Sequence, residues 1–178
     1  MKENEPFTYL GFYENLNELV SVITSFSESD WSYYKARKNT GGIASYNTDT
    51  IPLLYSPNAT NPKQMEKHQH HSIFSRHIEE LCRIASKELG KVVEKQSMIT
   101  RLLPGKSIKR HKDMGEITAK THRVHLPIIS NQLCTFRVED VSLHLKPGDI
   151  WVIDNTNRYH SVDNLGESTR VHLIIDMA

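Results

Sequence analysis

Apolar residues change period along this chain, helical in the first half and short and alternating in the second. Leu16, Leu19, Val20 and Ile23 recur at three- and four-residue intervals after Asn15, an amide able to cap, and Phe26 extends the stripe until SESD interrupts it. That spacing predicts an amphipathic helix. Over residues 31–67 the period is lost among Asn, Thr, Gly and Pro, so the segment reads as loop-rich, with IPLLY at 51–55 as a short buried strand. A second helix is predicted over 72–89: Ile73, Phe74, His77, Ile78, Leu81, Cys82, Ile84, Ala85 and Leu89 line one face, and Gly90 supplies the stop.

Beyond Gly90, short β-rich runs are separated by turn signals at PG (104–105), SN (130–131), ED (139–140), PG (147–148), DNTN (154–157) and DNLGES (163–168). Strands of that length and spacing predict an all-β sandwich or barrel, here a double-sheet jelly roll, also called a double-stranded β-helix. At 178 residues the chain suits one domain. No repeat, linker or low-complexity tract divides it. The expected organisation is a jelly-roll core over 96–178, with a helical and loop-rich part, 1–95, packed on its outer face.

Charge narrows the partners: Lys and Arg total 22 against 21 Asp and Glu, a net charge of +1. Such a balance creates no field for nucleic acid or an anionic membrane and favours a small-molecule or peptide partner. The two cysteines, Cys82 and Cys134, have neither CxxC nor framework spacing, which fits a reducing cytoplasm. The opening MKENEPFTYLGF is too polar for a signal peptide, and no apolar run reaches the roughly 18 residues of a membrane span. A soluble cytoplasmic protein is expected.

The chemistry concentrates in HKD, where His111 and Asp113 follow the predicted strand 97–103 and a PG turn. Residues two apart on an extended segment point the same way, so one imidazole and one carboxylate can reach a common ion. YHSV supplies His160 as a third ligand after the strand-like IWVID. Two imidazoles and a carboxylate on one face of an octahedron leave three positions open, which suits Fe(II), a bidentate 2-oxo acid and dioxygen. The competing reading is a surface HxD in a turn. Arg170 lies ten residues beyond His160 in STRVHLIIDM, and alternation puts it on one face with His172 and Ile174. Facing inward, a guanidinium needs an anion, and a carboxylate gripped at both oxygens is its natural partner. Facing outward, it would pair with Glu167 or Asp176.

Other chemistry-bearing residues read more plainly. His68, His70 and His71 in KHQHH suggest a solvated cluster, His144 and His172 structural strand residues, and Trp31 and Trp151 core or rim. Tyr33, Tyr34, Arg37 and NTDTIPL are candidates for a substrate wall.

Four stretches, taken together, carry a resemblance: a strand ending in PG before the HxD histidine, RVHLPI at 123–128, PGDIWVIDNTNRYHSVDN at 147–164, and RVHLIID at 170–176. The chain resembles the aspartyl/asparaginyl β-hydroxylases, a branch of the Fe(II)/2-oxoglutarate oxygenases that includes bacterial proline hydroxylases. The resemblance covers about residues 97–177. It implies that His111 and His160 bind iron and that Arg170 pairs with the distal carboxylate of 2-oxoglutarate. It places Arg123 and His125 near the metal, on the cosubstrate or the substrate carboxylate, and Thr100 where a hydroxyl touches 2-oxoglutarate. On their own, these three read equally as a surface charge, a satisfied core histidine and an ordinary strand residue. Animal relatives that hydroxylate secreted protein domains lack the carboxylate ligand, as halogenases do, whereas this chain keeps Asp113. It therefore resembles the bacterial hydroxylases of free amino acids more closely.

The function this implies is Fe(II)- and 2-oxoglutarate-dependent dioxygenation, hydroxylating a C–H bond of a free amino acid or a small amino-acid-like molecule. The alternatives are hydroxylation of Asp, Asn or Pro in a peptide or protein, and a non-catalytic jelly-roll binding module. A cupin-like sugar-binding metal protein fits less well, because its HxH and downstream Glu pattern is missing.

Overall fold

The structure is a computed structural model and describes residues 5–39, 42–57 and 63–178. Residues 1–4 of the polar opening segment, and residues 40–41 and 58–62 of the segment read as loop-rich, lie outside the described residues.

In chain order the elements are β1 (Phe7–Phe12), α1 (Leu16–Ser25), α2 (Glu28–Ser32), α3 (Ala36–Asn39), α4 (Ile43–Tyr46), β2 (Thr48–Tyr55), β3 (Glu66–Lys67), α5 (His71–Leu89), β4 (Glu94–Leu102), β5 (Ser107–His111), a 3-10 turn (Thr118–Lys120), β6 (His122–Ile129), β7 (Cys134–Val138), β8 (Val141–Leu143), β9 (Asp149–Ile153), β10 (His160–Asn164) and β11 (Arg170–Met177). They form two antiparallel sheets, ordered β1-β9-β6-β11-β4-β2-β3 and β5-β10-β7-β8, the expected jelly roll.

β11 explains how the site is built. It lies between β6 and β4, and all eight of its residues are buried. Its odd positions, Val171, Leu173, Ile175 and Met177, join one apolar cluster with Leu19 and Ile23 of α1 and Phe74, Ile78 and Leu81 of α5. The even positions, Arg170, His172, Ile174 and Asp176, therefore face into the roll. Pairing continues each even position across the sheet: Asp176 stands opposite Gln96 and Arg123, Ile174 opposite Met98 and His125, and His172 opposite Thr100. A strand with oil on one face and charge on the other thus sets a polar interior.

Several local expectations change. β1 was not expected; FTYLGF alternates only briefly before a bulge between Tyr9 and Gly11, and it is held as a strand by pairing with β9. α1 forms where predicted, but the Asn15 side chain makes no capping bond. SESD does more than end that helix, because Ser27 and Asp30 form a capping box that starts α2. Within the segment read as loop-rich, α3 and α4 add short turns of helix, and β2 starts at Thr48, earlier than the IPLLY core suggests. No helix among the described residues is long and apolar enough to cross a membrane.

Gly148 joins the second PG turn to β9 at a φ of +87°, and its carbonyl receives the amide of Tyr13 at 2.8 Å. A Cβ there would run into the Phe12 ring and hold an L residue in a left-handed conformation. Gly148→Ala is expected to cost about 1–3 kcal/mol, read as a fall of roughly 2–10 °C in thermal melting.

Candidate metal centre and active site

β5 and β10 pair so that His111 and His160 are direct cross-strand neighbours, with ring centroids 4.2 Å apart. Nδ1 of His111 donates to the Lys109 carbonyl at 2.7 Å, since a carbonyl only accepts. That leaves Nε2 buried, with no hydrogen-bond partner within ordinary reach among the described residues. It lies 3.4 Å from Oδ1 of Asp113, and Nε2 of His160 lies 3.8 Å from the same oxygen. One ligand atom from each of the three residues falls within 4.8 Å of the others, the only such group of His, Cys, Asp or Glu among the described residues.

Asp113 is held from behind. Its Oδ2 accepts from Arg123 and, at 3.2 Å, from the Asn155 amide, while its own N–H donates to the Asn155 carbonyl at 2.9 Å. Oδ1 is thereby left for the histidine side. Burial works to raise the Asp113 pKa, but the charge of Arg123 and the two imidazoles outweigh it and hold the carboxyl well below the usual range. Burial pulls His160 down to about 4, so it is neutral at physiological pH. Burial works to lower the His111 pKa, but the Asp113 carboxylate and the Lys109 carbonyl outweigh it and hold it above the ordinary histidine value. A neutral His160, a His111 whose Nε2 faces Asp113, and an ionised carboxylate suit a divalent first-row metal, whose binding displaces any proton from Nε2.

Behind the triad, a narrow cavity runs to Arg170, passing Thr100, His125 and Phe136. Arg170 is 4 % exposed, and among the described residues no carboxylate lies within ion-pair distance of it. Its guanidinium donates to Nδ1 of His172 at 3.0 Å and faces the Phe136 ring at 5.9 Å. Burial pulls its pKa down to about 10, so it still carries its charge at neutral pH. A guanidinium has no acceptor, so His172 is neutral with its proton on Nε2. Burial, followed by the charge of Arg170, pushes both His125 and His172 well below the ordinary histidine value. Both ring nitrogens of His125 lack hydrogen-bond partners among the described residues. The cavity therefore ends in one uncompensated cation among neutral groups.

Arg123 is partly buried, and its charge is matched: Nε and an NH2 nitrogen grip Asp176 at 2.7 and 2.8 Å, and NH1 holds Asp113. Asp176 is consequently taken, and Arg170 faces inward, away from the outward pairing that sequence alone allowed.

A wider opening shares Arg37, Ala44, His111, Asp113 and Arg123 with the inner cavity and is walled by α4, Tyr55, Met98 and the 114–118 loop. Arg37 reaches Thr50 at 2.8 Å, so the amino-terminal segment does furnish part of this wall. Tyr34 instead bonds the Ser56 carbonyl at 2.6 Å, and Trp31 is core. His68, His70 and His71 do not converge; they turn to the Tyr55 carbonyl, Asp30 and Glu94. Four residues at the site were not singled out for it: Asn155, Asp176, Gln96 and His172. Only the strand alternation of β11 could have flagged Asp176 and His172.

The pattern of the Aspartyl/Asparaginyl beta-hydroxylase family matches residues 27–178. The chain belongs to that family. It is thus a 2-oxoglutarate-dependent oxygenase that works with Fe(II) and dioxygen. Solved structures repeat the fold at low identity. A 2OG-Fe(II) oxygenase family oxidoreductase from Burkholderia pseudomallei is 13 % identical, with a TM-score of 0.61 over 75 % of this chain and 69 % of its own. The viral collagen prolyl hydroxylase of Paramecium Bursaria Chlorella virus-1, in a 2OG complex, is 9 % identical, with a TM-score of 0.61 over 98 % of this chain and 97 % of its own. A Pseudomonas putida prolyl-4-hydroxylase is 10 % identical, with a TM-score of 0.56 over 98 % of this chain and 92 % of its own. Likeness at this level establishes the jelly roll that the family shares.

Proposed function

We propose that the chain hydroxylates a C–H bond of a free amino acid or small amino-acid-like molecule, with Fe(II) on His111, Asp113 and His160 and the distal carboxylate of 2-oxoglutarate on Arg170. The observation that carries this reading is the buried, uncompensated Arg170 at the end of a cavity whose mouth is the triad. When bound, iron and the 2-oxo acid supply the oxidising chemistry, in which dioxygen converts the 2-oxo acid to succinate and carbon dioxide and places one oxygen atom in the substrate C–H bond.

The residues of the chain supply position and dryness. The Arg170 fork orients a carboxylate, and neutral His125 and His172 leave that charge available. Thr100, 3 % exposed, lines the same cavity and offers it a hydroxyl. Arg123 keeps two of its five N–H donors for a carboxylate nearer the metal, although its charge is already balanced by two aspartates. Phe136, Ile108, Val162 and Ile174 line the cavity and keep water from the reacting groups. The free thiols at Cys82 and Cys134 fit work in a reducing cytoplasm.

A peptide substrate is the second reading, favoured by the outer opening with its apolar Ile43, Met65, Met114 and Ile117. Succinate release measured with free amino acids and with end-blocked peptides separates the two readings. Free amino acids are expected to raise succinate at least about tenfold over 2-oxoglutarate alone. Stimulation by blocked peptides only would overturn the first reading in favour of the second.

A further inference from the structure

Across the inner face of the large sheet, Gln96, Asp176 and Arg123 stand in one cross-strand row. The Gln96 amide donates to Oδ2 of Asp176 at 3.0 Å, Asp176 receives Arg123 through both oxygens, and Arg123 hands its remaining nitrogen to Oδ2 of Asp113. Asp176 is fully buried, and no other cation reaches it among the described residues. Such a row costs desolvation that an apolar row would avoid, and buried ion pairs contribute little net stability for that reason. Its geometry has a different consequence: Arg123 cannot turn away, and one oxygen of Asp113 is occupied before any metal arrives.

We infer that Asp176, acting through Arg123, is a positioning residue that makes Asp113 a one-oxygen ligand. The inference rests on the triad being the metal site. With one oxygen of Asp113 and the two imidazoles holding it, a six-coordinate metal would keep room for a 2-oxo acid and dioxygen. If Asp113 swung to present both oxygens, part of that room would be lost. Asn155, which donates to the same Oδ2 at 3.2 Å from the turn after β9, supports the orientation, but it carries no charge to replace that of Arg123. The role assigned to Asp176 is remote from substrate, and it acts on ligand geometry rather than on the reaction itself.

Titration of the metal-free protein with Co(II), followed by the intensity of its visible bands, tests this without turnover. Partners that orient a metal ligand typically change metal affinity about 10- to 100-fold when removed. Asp176→Asn is nearly isosteric but loses the charge that fixes Arg123, and its Co(II) affinity is expected to fall within that range, with altered band intensity as the coordination number changes. Gln96→Ala removes only the outer support and should shift affinity the same way by a smaller factor; it decides the matter if the Asn variant does not fold. Wild-type affinity and spectrum in the folded variants would overturn the positioning role. If instead wild type and His111→Ala bind Co(II) alike, the triad itself is not the metal site, a separate failure.

Discussion

Arg170→Leu is expected to raise the KM for 2-oxoglutarate by a thousandfold or more, and Arg170→Lys by about 10- to 100-fold. Removing one member of a buried charge pair costs roughly 2–5 kcal/mol, each 1.4 kcal/mol being tenfold. The leucine variant falls at the upper end because the cavity then offers the carboxylate only neutral groups. Lysine keeps the charge but loses the fork, a loss of about 1.5–3 kcal/mol for charged hydrogen bonds. A second sign separates this account from a structural role. In the absence of ligand, Arg170 is a buried cation whose one side-chain hydrogen-bond partner among the described residues is His172, so replacing it by leucine removes a desolvation penalty. The metal-free leucine variant should melt no lower than wild type and should lose the stabilisation that 2-oxoglutarate gives. A lysine variant with wild-type KM, or a leucine variant that unfolds, would contradict the assignment.

Asp113→Ala is expected to reduce turnover about a thousandfold or more, beyond the roughly 10- to 100-fold typical of a partner that merely orients a ligand. In the proposed triad the carboxylate is the only group that carries a negative charge. Without it, two imidazoles alone would have to hold a divalent ion beside the charge of Arg123. The fold should survive, because Arg123 remains paired with Asp176 in a neutral, doubly bonded unit. Metal titration and succinate release, with thermal melting as the control, check this. Turnover above a tenth of wild type in a folded Asp113→Ala variant would show that the carboxylate is not a required ligand.

Much of the candidate site was legible because strand chemistry is local. A two-residue spacing puts His111 and Asp113 on one side of an extended segment, and alternation along RVHLIID separates Arg170, His172 and Asp176 from the apolar positions that meet the helices. What alternation leaves open is which face is inward and which residue lies opposite. Asp176 read as an outward partner for Arg170, six residues away, yet it pairs with Arg123 across 53 residues of chain. That choice depends on the register of β11 against β6, which no short segment encodes. Asn155 was invisible for the same reason: its link to Asp113 spans 42 residues and begins in a turn that reads only as a turn. β1 was missed because six residues with a glycine bulge make a strand only when β9 is beside them.

The most direct test is a structure of the protein with Mn(II) and 2-oxoglutarate. The account predicts one metal on Nε2 of His111, Oδ1 of Asp113 and Nε2 of His160, with the distal carboxylate of 2-oxoglutarate seated in the fork of Arg170. A metal bound elsewhere, or a distal carboxylate resting on Arg123 or Arg37 while Arg170 keeps no anion, would contradict it.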